Sequence, residues 1–425
     1  MSPRWRMPRR SFLAAAALPT LIPASALGGR GRCAPSERIT LGFLGLGTMA
    51  SSHLRHLLSF DDVEVIGVCD VWQHRRDAGV KQVNERSARR QGRARGAGCL
   101  STVDYHELLD REDIDAVVIG TPDHWHARMC RDAMIAGKDV YCEKPLTRTV
   151  AEARELIQVA RRYERVFQTG SQQRSHPAFR DAVEMVRAGR IGKVHTVRVQ
   201  VGAPAQACQL EAQDTPPSLD WERWLGPAPW RPYHAELCPQ RDGTYPRWRT
   251  YRDFAGGGLA DMGAHHFDIA QWALGYDQSG PVKIVPPADG GQTDLELHFA
   301  CGVRVIHQPG CIPGTGLRFE GELGTLDAVR WHTRLDPVGL SQPPIAPQDR
   351  TLRPSHNHQR DWVDCIRSRR RPVADVERGA RTATLCALAN LGYRLQRPLQ
   401  WDVRSWRFID DDDANRMLAD ADRLS

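Results

Sequence analysis

Beyond residue 37 the first half of the chain alternates short apolar runs with stretches of helical periodicity. Apolar runs fall at 38–45, 63–69, 114–120, 139–142 and 166–170. Between them, apolar positions recur at helical spacing through His53, Leu54, Leu57 and Leu58, and again at 105–109, 129–136 and 149–163. Strand followed by helix, repeated, predicts a parallel α/β sheet, and continuous apolar strands predict burial on both faces. The second half reads differently. A helix at 179–188 precedes an alternating, half-buried strand at 193–201. Residues 203–250 are Pro-rich, aromatic and almost without period. A helix led by glycines and stopped by Gly275 follows, then strand-like runs at 282–285, 293–300, 302–307, 317–320 and 325–330. A Pro-rich loop at 336–352 and helices at 357–368 and 377–391 complete the pattern. The expected fold is α/β: a Rossmann dinucleotide-binding domain at 37–170, an α+β substrate and oligomerisation domain with a mostly antiparallel open sheet at 171–400, and an extension at 401–425.

Composition narrows the function. The chain has 425 residues, 41% hydrophobic and 26% charged, as in ordinary globular proteins. Its formal net charge is +7, but six arginines and no acid lie in the first 32 residues. The remainder is near neutral, which excludes a basic nucleic-acid groove. Residues 1–32 read as a targeting segment. Arg9-Arg10-Ser11-Phe12-Leu13 opens an apolar run ending at Leu27, too short to cross a bilayer, and Ala24-Ser25-Ala26 offers cleavage after Ala26. The arginine pair resembles a twin-arginine signal, which predicts passage through that export machinery to the periplasm after folding. An ordinary secretory signal is the alternative. No lipid or membrane anchor is expected. The eleven cysteines show no CxxC or CxxH spacing, so neither a structural zinc site nor a disulfide scaffold is expected, and no metal site.

The first strand runs into Gly45-Leu46-Gly47-Thr48-Met49-Ala50, and 23 residues after Gly47 the second strand ends at Asp70. Strand, glycine loop, helix, strand and acid in this order form a dinucleotide fingerprint. Gly45 permits a tight turn, Gly47 lets a pyrophosphate approach the backbone, and the helix at Thr48 and Met49 presents its N–H groups. Asp70 suits a ribose 2′-hydroxyl, favouring NAD; Arg75 and Arg76 keep NADP as the alternative. The loop Thr121-Pro122-Asp123-His124-Trp125-His126 follows the strand at 114–120, and Glu143-Lys144-Pro145 follows the strand at 139–142. Both lie at the carboxyl edge of the sheet, where ligands bind in such folds. Thr121, Pro122, His126, Glu143 and Lys144 are therefore candidate cofactor contacts. Asp261 and His265 lie four apart on one helix face, as a pair suited to moving a proton near neutral pH.

Together the fingerprint, the Thr121–His126 loop, Glu143-Lys144-Pro145 and the 256–275 stretch resemble the Gfo/Idh/MocA oxidoreductases, in particular an exported bacterial branch. The resemblance covers nearly all of residues 37–420. It implies a two-domain NAD(P)-dependent enzyme acting on sugars, polyols and their derivatives, as a homodimer or homotetramer. It implies that Lys144 lies at the reacting hydroxyl and that His265 accepts its proton, with Asp261 orienting His265 or holding a neighbouring hydroxyl. It also implies that the segment carrying Gln172 and Arg174 approaches nicotinamide and substrate, with His266 nearby. Arg249 and Tyr251, just before the glycines, are further substrate candidates. Two other outcomes stay open. The first is a redox-neutral glycoside-cleaving or sugar–sugar oxidoreductase with tightly bound, recycled NAD, favoured by export to a compartment poor in free NAD. The second is a non-catalytic sugar-binding protein. For any single tryptophan of 203–250, core packing is the expected role.

Overall fold

The computed structural model describes residues 33–91, 98–240 and 244–419. The targeting segment at 1–32 and the last residues of the 401–425 extension lie outside the described residues.

Strands β1 (Ile39–Leu44), β2 (Val63–Cys69), β3 (Leu100–Thr102), β4 (Ala116–Ile119), β5 (Asp139–Cys142) and β6 (Phe167–Thr169) form one sheet in the order 3-2-1-4-5-6. All five pairings are parallel. The strand order reverses between β1 and β4, which opens a crevice at their carboxyl ends. Every residue of β4 and β5 is buried, which is why these strands read as unbroken apolar runs.

The second sheet has nine strands. Near its middle β7 (Val194–Gln200) pairs in parallel with Arg304–His307 and antiparallel with Gly316–Gly321, and all other neighbours are antiparallel. The glycine-led stretch folds as helix Gly257–Leu274 and ends at Gly275, whose φ of +76° suits glycine. The helix packs against Val376–Leu395 and Pro177–Arg187, and little besides Gly258, Asp261, Met262 and Leu274 escapes burial.

Three features depart from the sequence reading. Helix His358–Ser368, expected in the second domain, packs on the first: Trp362, Val363, Cys365 and Ile366 share a buried cluster with Leu41, Phe43, Val65 and Tyr141. Its amphipathic period says that one face is buried, not against what. The boundary at 400 falls inside strand Leu399–Asp402, which pairs with Lys283–Val285, so the C-terminal stretch completes the second sheet. That strand, Thr333–Asp336 and Arg407–Phe408 were not foreseen, being too short to display alternation. Finally, the aperiodic 203–250 stretch builds its own core. Trp221, Trp224, Tyr233, Leu237 and Trp248 cluster with Tyr251, Phe254 and, from the first domain, Trp72.

Candidate active site

The glycine loop is shaped for a phosphate. Gly45 sits at φ +84°, and a Cβ there would lie 2.9 Å from the Thr121 nitrogen. Gly47 adopts an extended conformation ahead of helix Thr48–Leu57, and no side chain caps that helix. A Cβ on Gly47 would meet nothing closer than 4.0 Å, so the space above the helix N-terminus is open. A Cβ on Gly120 would come within 2.6 Å of the Ala50 Cβ, so helix and β4 meet only through small residues. Asp70 ends β2 and is buried; it accepts from the Leu46 N–H at 2.6 Å and the Trp72 N–H at 2.8 Å. A carboxylate has about four acceptor positions, so two remain for a ribose.

These residues line a groove of about 320 Å³ that also takes in Thr121, Pro122, His126, Glu143 and Lys144 at its far end. The donor set fits a dinucleotide along its length: an acid at one end, an uncapped helix in the middle and an ammonium at the other. Arg75 also lines the Asp70 end.

The turn after β5 is held from several sides. Glu143 bonds to His53 at 2.7 Å and accepts from Gln172 Nε2 at 3.3 Å. Burial raises its carboxyl, but His53 and Lys144 outweigh that and lower its pKa. Gln172 thus braces Glu143 and does not itself line the groove. His126 is buried with Nδ1 2.7 Å from the Pro145 carbonyl and Nε2 3.0 Å from the Thr121 carbonyl. Carbonyls only accept, so both nitrogens must carry protons, and the ring is an imidazolium. Burial opposes that charge; Cys142, Asp123 and the Pro145 carbonyl together raise its pKa to about 10. Because burial keeps the Cys142 thiol neutral, the carbonyls and Asp123 are what hold the ring charged. Asp123, on the same loop and lining the groove, is pushed up to about 6 by burial although His126 and Arg249 pull the other way.

Lys144 reaches across the domain boundary. Its Nζ donates to Asp261 Oδ1 at 2.7 Å and to the Asp261 carbonyl at 2.8 Å. The Tyr245 hydroxyl donates to the other carboxylate oxygen, and Arg249 Nε stands 3.6 Å from Oδ1 while stacking on Tyr245 and Trp248. Burial works against the Asp261 charge, but Lys144 and Arg249 prevail and lower its pKa. His265 lies one turn on, buried, with Nδ1 unpartnered. Burial, then the charge of Lys144, holds it far below its usual pKa, so the ring is neutral. No hydrogen bond joins Asp261 to His265 among the described residues. Helical spacing puts the two on one face, but the carboxylate is engaged by Lys144 and Tyr245 instead.

Three expected substrate contacts lie elsewhere. Arg174 is buried in ion pairs with Asp268 at 2.7 Å and Asp277 at 2.8 Å, over the Trp272 ring. Tyr251 fills the aromatic cluster of the 203–250 stretch. His266 is buried against Phe179, 3.3 Å from the Gln200 carbonyl, and burial lowers its pKa to about 4. Arg249 does line the groove, as do Thr48 and Met49. The sequence reading missed Tyr245, Asp123 and His53. Tyr245 lies in the aperiodic 203–250 stretch with no motif to single it out, yet it is 64% exposed and reaches the acid at the site.

The groove also has a cover. The Asp220 N–H donates to the Val71 carbonyl at 3.2 Å, Trp72 Nε1 donates to Cys238 Sγ at 2.9 Å, and Trp125 Nε1 donates to the Trp224 carbonyl at 2.9 Å. Residues 218–240 and 244–249 therefore cross from the second domain onto the first and wall one side of the groove.

A parallel sheet with a phosphate-shaped glycine loop, joined to a domain that sets an acid against the Glu143-Lys144-Pro145 turn, defines a nucleotide-dependent oxidoreductase fold. Residues 39–171 match the family model described as oxidoreductase family, NAD-binding Rossmann fold; residues 202–312 and 340–425 match its C-terminal alpha/beta domain. The chain belongs to the Gfo/Idh/MocA oxidoreductase family. It is 35% identical over 141 residues to an alpha-N-acetylgalactosaminidase of Shewanella oneidensis, covering 33% of this chain and 30% of that protein. It is 25% identical over 237 residues to myo-inositol 2-dehydrogenase of Thermotoga maritima, covering 56% and 55%. The chain thus aligns with less than two thirds of these relatives' length. The aldose-aldose oxidoreductase from Caulobacter crescentus, complexed with glycerol, shares the fold at a TM-score of 0.59 and 19% identity, over 85% of this chain and 99% of that one.

Proposed function

We propose that the protein is an NAD(P)-dependent oxidoreductase acting on a secondary hydroxyl of a sugar, polyol or glycoside. The observation that carries this reading is the Lys144–Asp261 pair, formed between the two domains by a lysine that lines the far end of the dinucleotide groove. A bound nicotinamide supplies the hydride acceptor. Lys144 Nζ donates to the substrate oxygen and stabilises its developing negative charge. Asp261 and the Tyr245 hydroxyl fix where that ammonium points. His265, one turn beyond Asp261 and with its Nδ1 unpartnered, is the candidate acceptor of the hydroxyl proton. Asp70 supports NAD over NADP, and Arg75 in the same wall leaves the phosphorylated cofactor as the alternative.

A second reading retains the fold and recycles the cofactor, giving redox-neutral cleavage of a glycoside. Two observations favour it. The cover formed by residues 218–240 and 244–249 walls the groove, which suits a dinucleotide retained between turnovers. Asp123 faces the groove with a carboxyl pushed up to about 6, suited to giving a proton to a leaving group. Export through the twin-arginine route to the periplasm, and assembly as a homodimer or homotetramer, belong to this proposal too. The test is to denature the purified mature protein and quantify released NAD(H) and NADP(H). Stoichiometric dinucleotide supports the recycling reading; an empty protein that reduces added NAD with a polyol supports the net dehydrogenase; one that binds neither refutes both.

A further inference from the structure

The buried Glu143 carboxylate is held from three parts of the chain. Glu143 lines the groove at its Lys144 end. Its Oε1 meets His53 Nε2 at 2.7 Å and accepts from Gln172 at 3.3 Å, and its Oε2 accepts from the Lys144 N–H at 3.3 Å. A Cβ on Gly170 would lie 2.7 Å from Oε1, so the carboxylate rests directly against backbone. His53 belongs to the glycine-loop helix Thr48–Leu57; it is buried and does not line the groove. Its ring stands edge-on to Tyr141, with centroids 5.1 Å apart. Its other nitrogen, Nδ1, lies 2.8 Å from Nε2 of Gln359, on helix His358–Ser368. An amide nitrogen only donates, so Nδ1 accepts and Nε2 carries the proton given to Glu143. The ring is therefore neutral, and it supports the ionised carboxylate without cancelling its charge. The Lys144 ammonium is engaged by Asp261 instead.

We propose that His53 is a positioning residue that sets the redox balance of the cofactor: it fixes Glu143 as a buried anion at the nicotinamide end of the groove, and this anion favours the oxidised, positively charged nicotinamide over the neutral reduced one. The inference rests on the dinucleotide reading above. A fixed anion attracts a cationic ring and not a neutral one, and burial strengthens the attraction. The bound couple thus becomes harder to reduce and its hydride easier to return.

The test is titration of the full chain, freed of copurified dinucleotide, with NAD⁺ and separately with NADH, or with the phosphorylated pair where that is the one bound. The readout is the ratio of the oxidised to the reduced Kd. Glu143→Gln keeps the shape and removes the charge, and is expected to raise this ratio about tenfold, the scale of one charge acting through a partly buried wall. His53→Leu leaves Glu143 in place without its proton donor and is expected to raise the ratio by a similar factor, with the double variant no further shifted than either single one. His53→Gln, whose amide replaces the Nε2 donor, is expected to keep the wild-type ratio. A merely structural role would weaken both dinucleotides together and leave the ratio fixed. An unchanged ratio in Glu143→Gln, or in His53→Leu while Glu143→Gln shifts it, overturns this inference and leaves the proposed function standing. A wild-type chain that binds neither oxidised nor reduced dinucleotide refutes both. Should His53→Leu not fold, His53→Asn, whose shorter amide ends short of Glu143, is read in its place.

Discussion

His126 offers the sharpest check on how the site is held together. Its ring lies between the Pro145 and Thr121 carbonyls and is therefore charged in the folded chain. Burial opposes the charge, but Asp123 and the Pro145 carbonyl hold its pKa above the ordinary 6.5. The unfolded chain releases this proton near pH 6.5, and the folded chain holds it to higher pH. The stabilisation is fully present below pH 6.5 and is lost as pH rises through the folded pKa. Its scale is that of a hydrogen bond from a charged donor, about 1.5–3 kcal/mol. His126→Gln keeps a donor and removes the charge. Urea unfolding followed by tryptophan fluorescence, at pH 6.5 and 9.0 for both proteins, separates this group from every other titrating one. The variant should be less stable at pH 6.5, and the gap should narrow by about 1.5–3 kcal/mol as the ring loses its charge towards pH 9.0. A gap that is the same at both pH values would mean a neutral ring with only one real hydrogen bond, and the reasoning would fail.

Other expected outcomes follow from the same geometry. Lys144→Met should lower kcat about a hundredfold or more at saturating dinucleotide, the cost of one preorganised donor; equal turnover by wild type and variant would remove Lys144 from the chemistry. Arg174→Met leaves Asp268 buried without its cation, although Asp277 keeps Arg378, and should cost about 3–5 kcal/mol of stability. Thermal melts should show that loss, while the folded fraction keeps its KM; a KM change at unchanged Tm would return Arg174 to the substrate site. Gly45→Ala forces a side chain into a backbone contact at φ +84° and should abolish dinucleotide binding, read by fluorescence titration.

The dinucleotide half was legible because each of its parts is local. The glycine loop, the acid at the end of β2 and the two carboxyl-edge loops all announce themselves within a few residues. The sheet order then follows from parallel connections. What could not be read is what crosses the domain boundary. The i, i+4 spacing of Asp261 and His265 predicted a pair, but nothing in it shows that Lys144, far back in the chain, takes the carboxylate. Arg174 carries the same charge as a substrate-binding arginine; only the placement of Asp268 and Asp277 makes it structural. Tyr245 sits in an aperiodic stretch where most aromatics are core, and its different role comes from the cover folding back over Asp261.

Helix His358–Ser368 carries a consequence for synthesis. The first domain's outer core contains Trp362, Val363, Cys365 and Ile366 alongside residues from its first two strands. A ribosome has made most of the chain before it supplies these side chains. Until then the sheet keeps an apolar face open to water, and the nascent chain cannot complete that core. The glycine loop leaves the ribosome early, but its support arrives late. A fragment cut after residue 171 would expose the same face. The dinucleotide domain is thus contiguous in its motifs but not in its packing, and binding of the nucleotide to a finished pocket is an event of the whole chain.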